Sequence, residues 1–338
     1  MSLSIVVSES KPSFADDHTN DQSISLDAKW LLAIYGVLPL ALFLITLDDF
    51  VFGRRLLAFL PSSPDDMRAF TVLFRMPHIV SSLLIFCEVE YLRHYKIRLS
   101  FGAPLIVMSA LTAYFLIGWN SFFLIFSLIT AFHVLTQQIG VTRSLVRNVD
   151  GWFQGWKWSC LVIGLLVYLV MVNSSARTQA VEFYIRNFLW LVFLPATYCA
   201  YRVSLKASSR IAVYYVWSTH ALFVTLFTLF QFHYPFFVVF LTQVIHDLTA
   251  YGFYMVHNHN RSLAGSGNPI SLLRKMTNAP VILLTPLLGI ALASPLTQLR
   301  ITQSWFHMSV VMIMLFHYYT ESFSWKRNAL HRRYVSLS

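Results

Sequence analysis

Charge is what this sequence has least of. Asp, Glu, Lys and Arg make up 12% of its 338 residues while 57% are hydrophobic, whereas a water-soluble domain carries charge at roughly a quarter of its positions. The shortage excludes an ordinary soluble domain and points to a membrane. Cysteine is also scarce: Cys87, Cys160 and Cys199 all fall in apolar stretches without CxxC spacing, which excludes a disulfide framework and a thiolate zinc site. Twelve glycines and twelve prolines are too few for a collagen-like or low-complexity chain. The small charged complement is lopsided, with 25 Lys and Arg against 15 Asp and Glu, a net +10. The basic residues are scattered over short loops and form no stripe, which speaks for the positive-inside rule and against a nucleic-acid partner.

Residues 1–27 are polar and acidic, the composition of a disordered tail rather than a signal peptide. After them come ten apolar segments, most near the ~20 residues that a membrane-spanning helix needs. They are 28–47, 69–91, 100–117, 121–141, 158–172, 187–203, 211–233, 235–256, 279–296 and 303–319. Gly118, Trp119 and Asn120 alone separate the third from the fourth, and Gly and Asn suit the tight turn of a helical hairpin. The expected fold is an all-α, polytopic transmembrane bundle of about ten spans covering residues 28–320, followed by a basic tail, 321–338. With ten spans, 18 of the 25 Lys and Arg fall on the side shared by the two termini, six fall on the other, and Arg75 lies within the second span. That imbalance predicts both termini in the cytoplasm, of a bacterial inner membrane or a eukaryotic internal one. Two segments, 50–60 and 142–157, combine basic and aromatic residues as interfacial helices and aromatic belts do.

Eleven of the 15 acidic residues lie in the tail or loops; Glu88, Glu90, Asp247 and Glu321 lie within or at the ends of spans. A carboxylate at depth costs several kcal/mol unless it is paired or metal-bound. Of these four, all but Glu88 have a histidine within about one helical turn. Glu90 and His94 are four residues apart, with His78 earlier in the same span. His133 and Gln137 sit one above the other in the fourth. In the eighth, His246, Ala250, Phe253 and His257 form one helical stripe, with His259 just beyond, while Asp247, Tyr251 and Tyr254 form the adjacent stripe. In the tenth, His317 precedes Glu321 by four residues.

Taken singly, each histidine reads as a hydrogen-bonded packing residue, Glu90 as part of a surface ion pair, and Glu321 as a partner of Lys326 or Arg327. His18, His233 and His331 read as solvated. What points to metal is recurrence: apart from His78, nearer mid-depth, the ligand types gather toward the cytoplasmic ends of spans two, four, eight and ten. The expected ligand pool is His78, Glu90, His94, His133, His246, His257, His259, His317 and Glu321. Imidazole and carboxylate without thiolate suit non-haem iron, manganese or zinc, and the supply exceeds what one catalytic zinc needs, so two metal ions are expected. Asp247 and Tyr251 are expected to orient ligands or relay protons, and the Gly-containing segment 257–278 to act as a lid.

On His78, His94, His133, His246, His257, His259 and His317 the chain resembles, in architecture and ligand chemistry, the integral-membrane di-iron desaturases and hydroxylases of the fatty-acid desaturase and alkane hydroxylase type. It departs from them in lacking HxxxH and HxxHH boxes; its only close pair is His257 with His259. The resemblance implies two irons, molecular oxygen as co-substrate, a soluble electron donor, and a lipid or other hydrophobic substrate reached from the bilayer. Three other readings use the same residues: a single-zinc lipid hydrolase or transferase, a proton- or metal-coupled transporter, and a haem subunit ligated by His78, His220 or His246.

Overall fold

The computed structural model describes residues 23–61, 63–146, 149–172, 178–265, 267–302, 306–326 and 328–338. Among them the fold is all-α, with one isolated β-bridge between Leu26 and Leu337. Eight helices are long and apolar enough to cross a membrane: Ala28–Phe50, Arg68–Cys87, Lys96–Val146, Gly151–Val172, Gln179–Leu205, Arg210–Phe232, Pro235–Leu263 and Val281–Gln298. Their outward surface is apolar as well, with Phe43, Phe101, Phe115, Leu116 and Leu191 all exposed. In water such a surface is an aggregation liability, and in hydrocarbon it is what the solvent requires.

Ten segments were expected, and two features account for the difference. Lys96–Val146 runs as one 51-residue helix except at Gly118, whose φ of 72° and ψ of 168° belong to a region open essentially to glycine. Were the helix unbroken, Arg98 and Thr130 would be roughly 48 Å apart. Yet Tyr319 donates to Arg98 O (3.0 Å) and the adjacent Tyr318 donates to Thr130 Oγ1 (3.1 Å). The two arms therefore fold back on each other as the expected hairpin. The other feature is Phe306–Ser324, whose polar last third keeps it outside the eight.

Local chemistry sets the helix starts. Thr178, Ser209 and Asn268 cap their helices by accepting from the amides of Val181, Ala212 and Ser271. Asp48, expected in a loop, is fully buried at the end of the first long helix. It accepts from the amides of Leu56 (2.7 Å) and Leu57 (3.0 Å) and from Tyr234 Oη (2.8 Å). Three donors satisfy a carboxylate that would otherwise be costly to bury.

Three boundaries differ from expectation. Residues 151–157 are the first two turns of Gly151–Val172, with Phe153 and Trp156 buried rather than at an interface. The expected lid is mostly helix: Pro235–Leu263 continues past His257, and Pro269–Thr277 follows it. The C-terminal boundary at 321 falls inside Phe306–Ser324, and beyond it Leu330, His331 and Val335 are buried against the bundle. The chain ends there clasp: Leu26 donates to Ser336 O (2.8 Å) and Ala28 to Ser338 O (2.9 Å). Of the expected N-terminal tail, 1–22 lies outside the described residues, while Leu26 is buried and Asp27 caps the first helix.

Pro235–Leu263 is the central helix, buried along nearly its whole length. On one side it joins the larger core with Tyr35, Leu135, Trp156 and Phe223. Nearby is a smaller core containing Met76, Ile79, Phe126, Val311 and Met314. A buried seam of polar residues runs along these helices, and the candidate site lies in it.

Candidate metal centre

Four helices supply the site, and local irregularity aims the first of them. Residues 68–87 begin with a short α-turn, pass through a π-helical turn at Thr71–Arg75, continue as Met76–Leu84 and end in a 3-10 turn at Ile85–Cys87. A π-turn inserts a residue and rotates the side chains beyond it about the helix axis; here it precedes His78 by three positions. This helix packs closely against Val281–Thr302, because Gly289 leaves room for Pro77 O and Ser81 Oγ, each 2.8 Å from where a Cβ would stand. Close approach through small residues is how helices associate in lipid.

His78 thereby meets His246 of the central helix and His317 of Phe306–Ser324, in each case with ring centroids 5.0 Å apart. His133, on the second hairpin arm, closes a four-membered ring of imidazoles, 5.2 Å from His246 and 5.5 Å from His317. Two carboxylates flank the ring. Asp247 Oδ1 is 3.1 Å from His78 Nδ1, and Glu321 Oε2 is 3.0 Å from His133 Nε2 and 3.8 Å from His317 Nε2. Ligand-type atoms of His133, His246, His317 and Glu321 lie within 4.8 Å of one another, as do those of His78, His246 and Asp247.

The ring nitrogens fit a metal. Ser82 donates its hydroxyl to Ile79 O (2.7 Å), so its 2.5 Å contact with His317 Nδ1 is completed by the imidazole N–H. That tautomer leaves the lone pair on Nε2, the nitrogen facing Glu321. His78 Nε2, His246 Nδ1 and His317 Nε2 are buried without a hydrogen-bond partner, a costly state that coordination would relieve. His133 Nε2 approaches Glu321 without a hydrogen-bonding alignment. Tyr254 Oη donates to Glu321 Oε1, and Gln137 Nε2 donates at 3.4 Å to Oε2, the oxygen that also faces His133 and His317. A void of about 10 Å³ lies against His78, His246 and Asp247, room for about one small occupant.

Of the expected ligands, His78, His133, His246, His317 and Glu321 converge, and Asp247 joins them as a direct neighbour of His78. The rest do not. Glu88 adopts an extended conformation (φ −81°, ψ 134°) that ends the second span's helix, so Glu90 and His94 sit on a separate short helix, Val89–His94. Both are exposed; Glu90 pairs with Arg261, as does Glu88 at 2.9 Å. His257 shares the face of His246 but lies eleven residues on, roughly 16 Å along the axis. Both its nitrogens are spent: Nδ1 donates to Asn258 Oδ1 (3.1 Å) and Nε2 accepts from Tyr91 Oη (2.8 Å). His259 is two residues further round and belongs to neither group. Tyr251 donates to Leu73 O at 3.5 Å, outside both groups.

Sequence reasoning passed over the residues that hold the site from outside. Ser82 lies four residues after His78, a spacing that marks a shared face but not its partner across the helix pair. Tyr254 and Gln137 were visible as stripe neighbours, and their common target, Glu321, was not. His331, expected in solvent, is buried and stacks on Tyr91 (centroids 4.3 Å) and His257 (5.3 Å). Burial lowers the pKa of His331 and raises that of Tyr91.

Comparison of the chain with family models, curated proteins and solved structures gives no match. The site's chemistry therefore rests on its own geometry.

A cavity of about 320 Å³ leads to it, with His133 and Glu321 on its wall. The cavity runs along the second hairpin arm from Ile129 to Ser144, a length of roughly 22 Å. Ile129 and Phe132, on its lip, are 41% and 43% exposed, which opens it sideways toward lipid. Only one of the two ligand groups touches this space.

Proposed function

We propose that the chain is a membrane-embedded metalloenzyme whose two metals, iron before zinc or manganese, oxidise a lipid or similar hydrophobic substrate by hydroxylation or desaturation at the cytoplasmic face. One observation carries the reading: four imidazoles from four helices converge with two carboxylates while buried ring nitrogens lack partners. The six side chains divide into His133, His317 and Glu321 on one side and His78, His246 and Asp247 on the other, with His246 within reach of both groups. Each set is two histidines and one carboxylate, the donor set of non-haem iron oxygenases. Bound there, the metals would supply activation of molecular oxygen, with electrons from a soluble donor.

The remaining work falls to the protein. Tyr254 and Gln137 fix the Glu321 carboxylate, and Ser82 fixes the tautomer of His317, so the donor atoms are preorganised. Asp247 beside His78 acts as ligand or as the carboxylate that orients it. The cavity presents an apolar chain to the His133 and Glu321 side. Its sideways opening supports a substrate drawn from the bilayer. Tyr251 is assigned no step.

Ten crossings with both ends cytoplasmic remain the preferred topology. The clasp between Leu26 and Leu337 puts the two described ends on one side, which supports an even number of crossings. The first test is elemental analysis of detergent-purified protein prepared without chelator. About two irons per chain is the expected result; folded protein without tightly held metal would overturn the reading and assign the cluster to a proton or ion path.

A further inference from the structure

The cavity beside His133 has a cation at its wall that the proposed chemistry leaves unused. Arg332, from the C-terminal segment, lines this cavity and lies over the Phe253 ring at 5.6 Å. Among the described residues no carboxylate forms an ion pair with it; Asp48, Glu88, Asp247 and Glu321, buried acids of the bundle, are each engaged by other partners. Burial lowers the pKa of Arg332, with no acidic neighbour offsetting it. A partly buried guanidinium without a counter-charge is costly unless a ligand supplies one.

Its position along the cavity is set by the helices. Phe253 lies seven residues beyond His246 on the central helix, about 10 Å along the axis. His133 contacts His246, so Arg332 stands about two turns from the metal-type ligands, toward the C-terminal end of that helix. The wall is mostly apolar, with the rings of Phe253, Tyr318 and Trp325 beside the polar Thr136, Gln137 and Ser322. We infer that the cavity binds a single-chain anionic amphiphile, its carboxylate or phosphate on Arg332 and its apolar chain extending past Glu321 and His133 toward the lipid-facing lip at Ile129 and Phe132. An arginine fork recognises either anion bidentately, and the apolar wall takes the chain. The acid group anchors one end, so the carbon brought to the ligand cluster is set by distance from that anchor.

This substrate class deepens the oxidase reading and rests on it only for what happens to the chain after binding. The test is therefore equilibrium binding to the full-length protein in discs of neutral lipid, measured with and without prior chelation. Radiolabelled probes are a saturated fatty acid, the matching alkyl phosphate and the matching fatty alcohol, with metal content determined on the same samples. The native protein is expected to bind at least one acid about tenfold or more tightly than the alcohol, consistent with a charge-assisted pair. Arg332→Gln is expected to bring that acid down to the alcohol's affinity while leaving the alcohol unchanged. Which acid binds tighter identifies the head group as carboxylate or phosphate. Gly140 lines the cavity, and nothing stands within 4 Å of where its Cβ would be, so Gly140→Phe is expected to fold normally and weaken all three probes. Equal binding of acid and alcohol by the native protein, an acid preference that survives Arg332→Gln, or full binding by a folded Gly140→Phe protein would each overturn the inference. Acid preference in protein that holds no metal would uphold it while removing the oxidase reading.

Discussion

His133 and Glu321 are separated by 188 residues of sequence and meet with Nε2 and Oε2 3.0 Å apart. The contact forms because the hairpin folds at Gly118 and brings its second arm against the last long helix. Glu321 shares its helix with only one further member of the cluster, His317, and His133 with none. The site exists only where four helices cross.

Replacing His246 or His317 with Ala is expected to abolish tightly bound metal while leaving folded yield intact, since each removes a donor from a cluster that the helices position independently. His257→Ala, whose imidazole is already hydrogen-bonded at both nitrogens, is expected to leave metal content unchanged. Elemental analysis of the three variants checks this, and full metal retention in both His246→Ala and His317→Ala would sink the assignment.

Ser82→Ala removes the acceptor that orients His317. Loss of such an outer partner typically weakens metal binding by about 10- to 100-fold. A competition titration against a chelator of known affinity measures the change; unaltered affinity would mean that the serine does not set the tautomer.

Gly289→Val places new carbon within 2.8 Å of Pro77 O, a backbone atom that cannot swing aside. The His78 helix must shift, at a cost of about 1–3 kcal/mol for overpacking. A lower thermal midpoint in detergent together with reduced metal content is expected. A midpoint equal to that of the native protein would show that the two helices separate freely.

His331 titrates in the physiological range only if released. Burial depresses its pKa in the folded state, so between that value and the ordinary imidazole value, about 6.5, the unfolded segment binds more protons than the docked one. The stability of C-terminal docking is therefore complete above about pH 6.5 and is lost as pH falls below it. Protection factors of residues 328–338, with the intrinsic exchange rate at each pH divided out, are expected to fall on acidification in the native protein and to lose that dependence in His331→Leu. An acid dependence identical in the two proteins would assign it to another group.

Much of this molecule is dictated by composition and spacing. The low charge and long apolar runs require helices in a membrane, because no other element satisfies its backbone there without closing into a barrel. The hairpin was legible because Gly118 stands between two apolar runs, and the five of nine expected ligands that the fold brings together stood out because imidazole and carboxylate are rare inside such runs. Tertiary structure decided which of them belong together. Helical periodicity reports a face but not a depth, so His257 shared a stripe with His246 and still lies roughly 16 Å away along the axis. It also assumes an unbroken helix, so it could not foresee that extended backbone at Glu88 would detach Glu90 and His94, or that Tyr91 and Asn258 would use up both nitrogens of His257. Ser82, Tyr254 and Arg332 each meet their partner, His317, Glu321 and Phe253, on another segment, and a pairing between distant segments leaves no trace in the local pattern of either one.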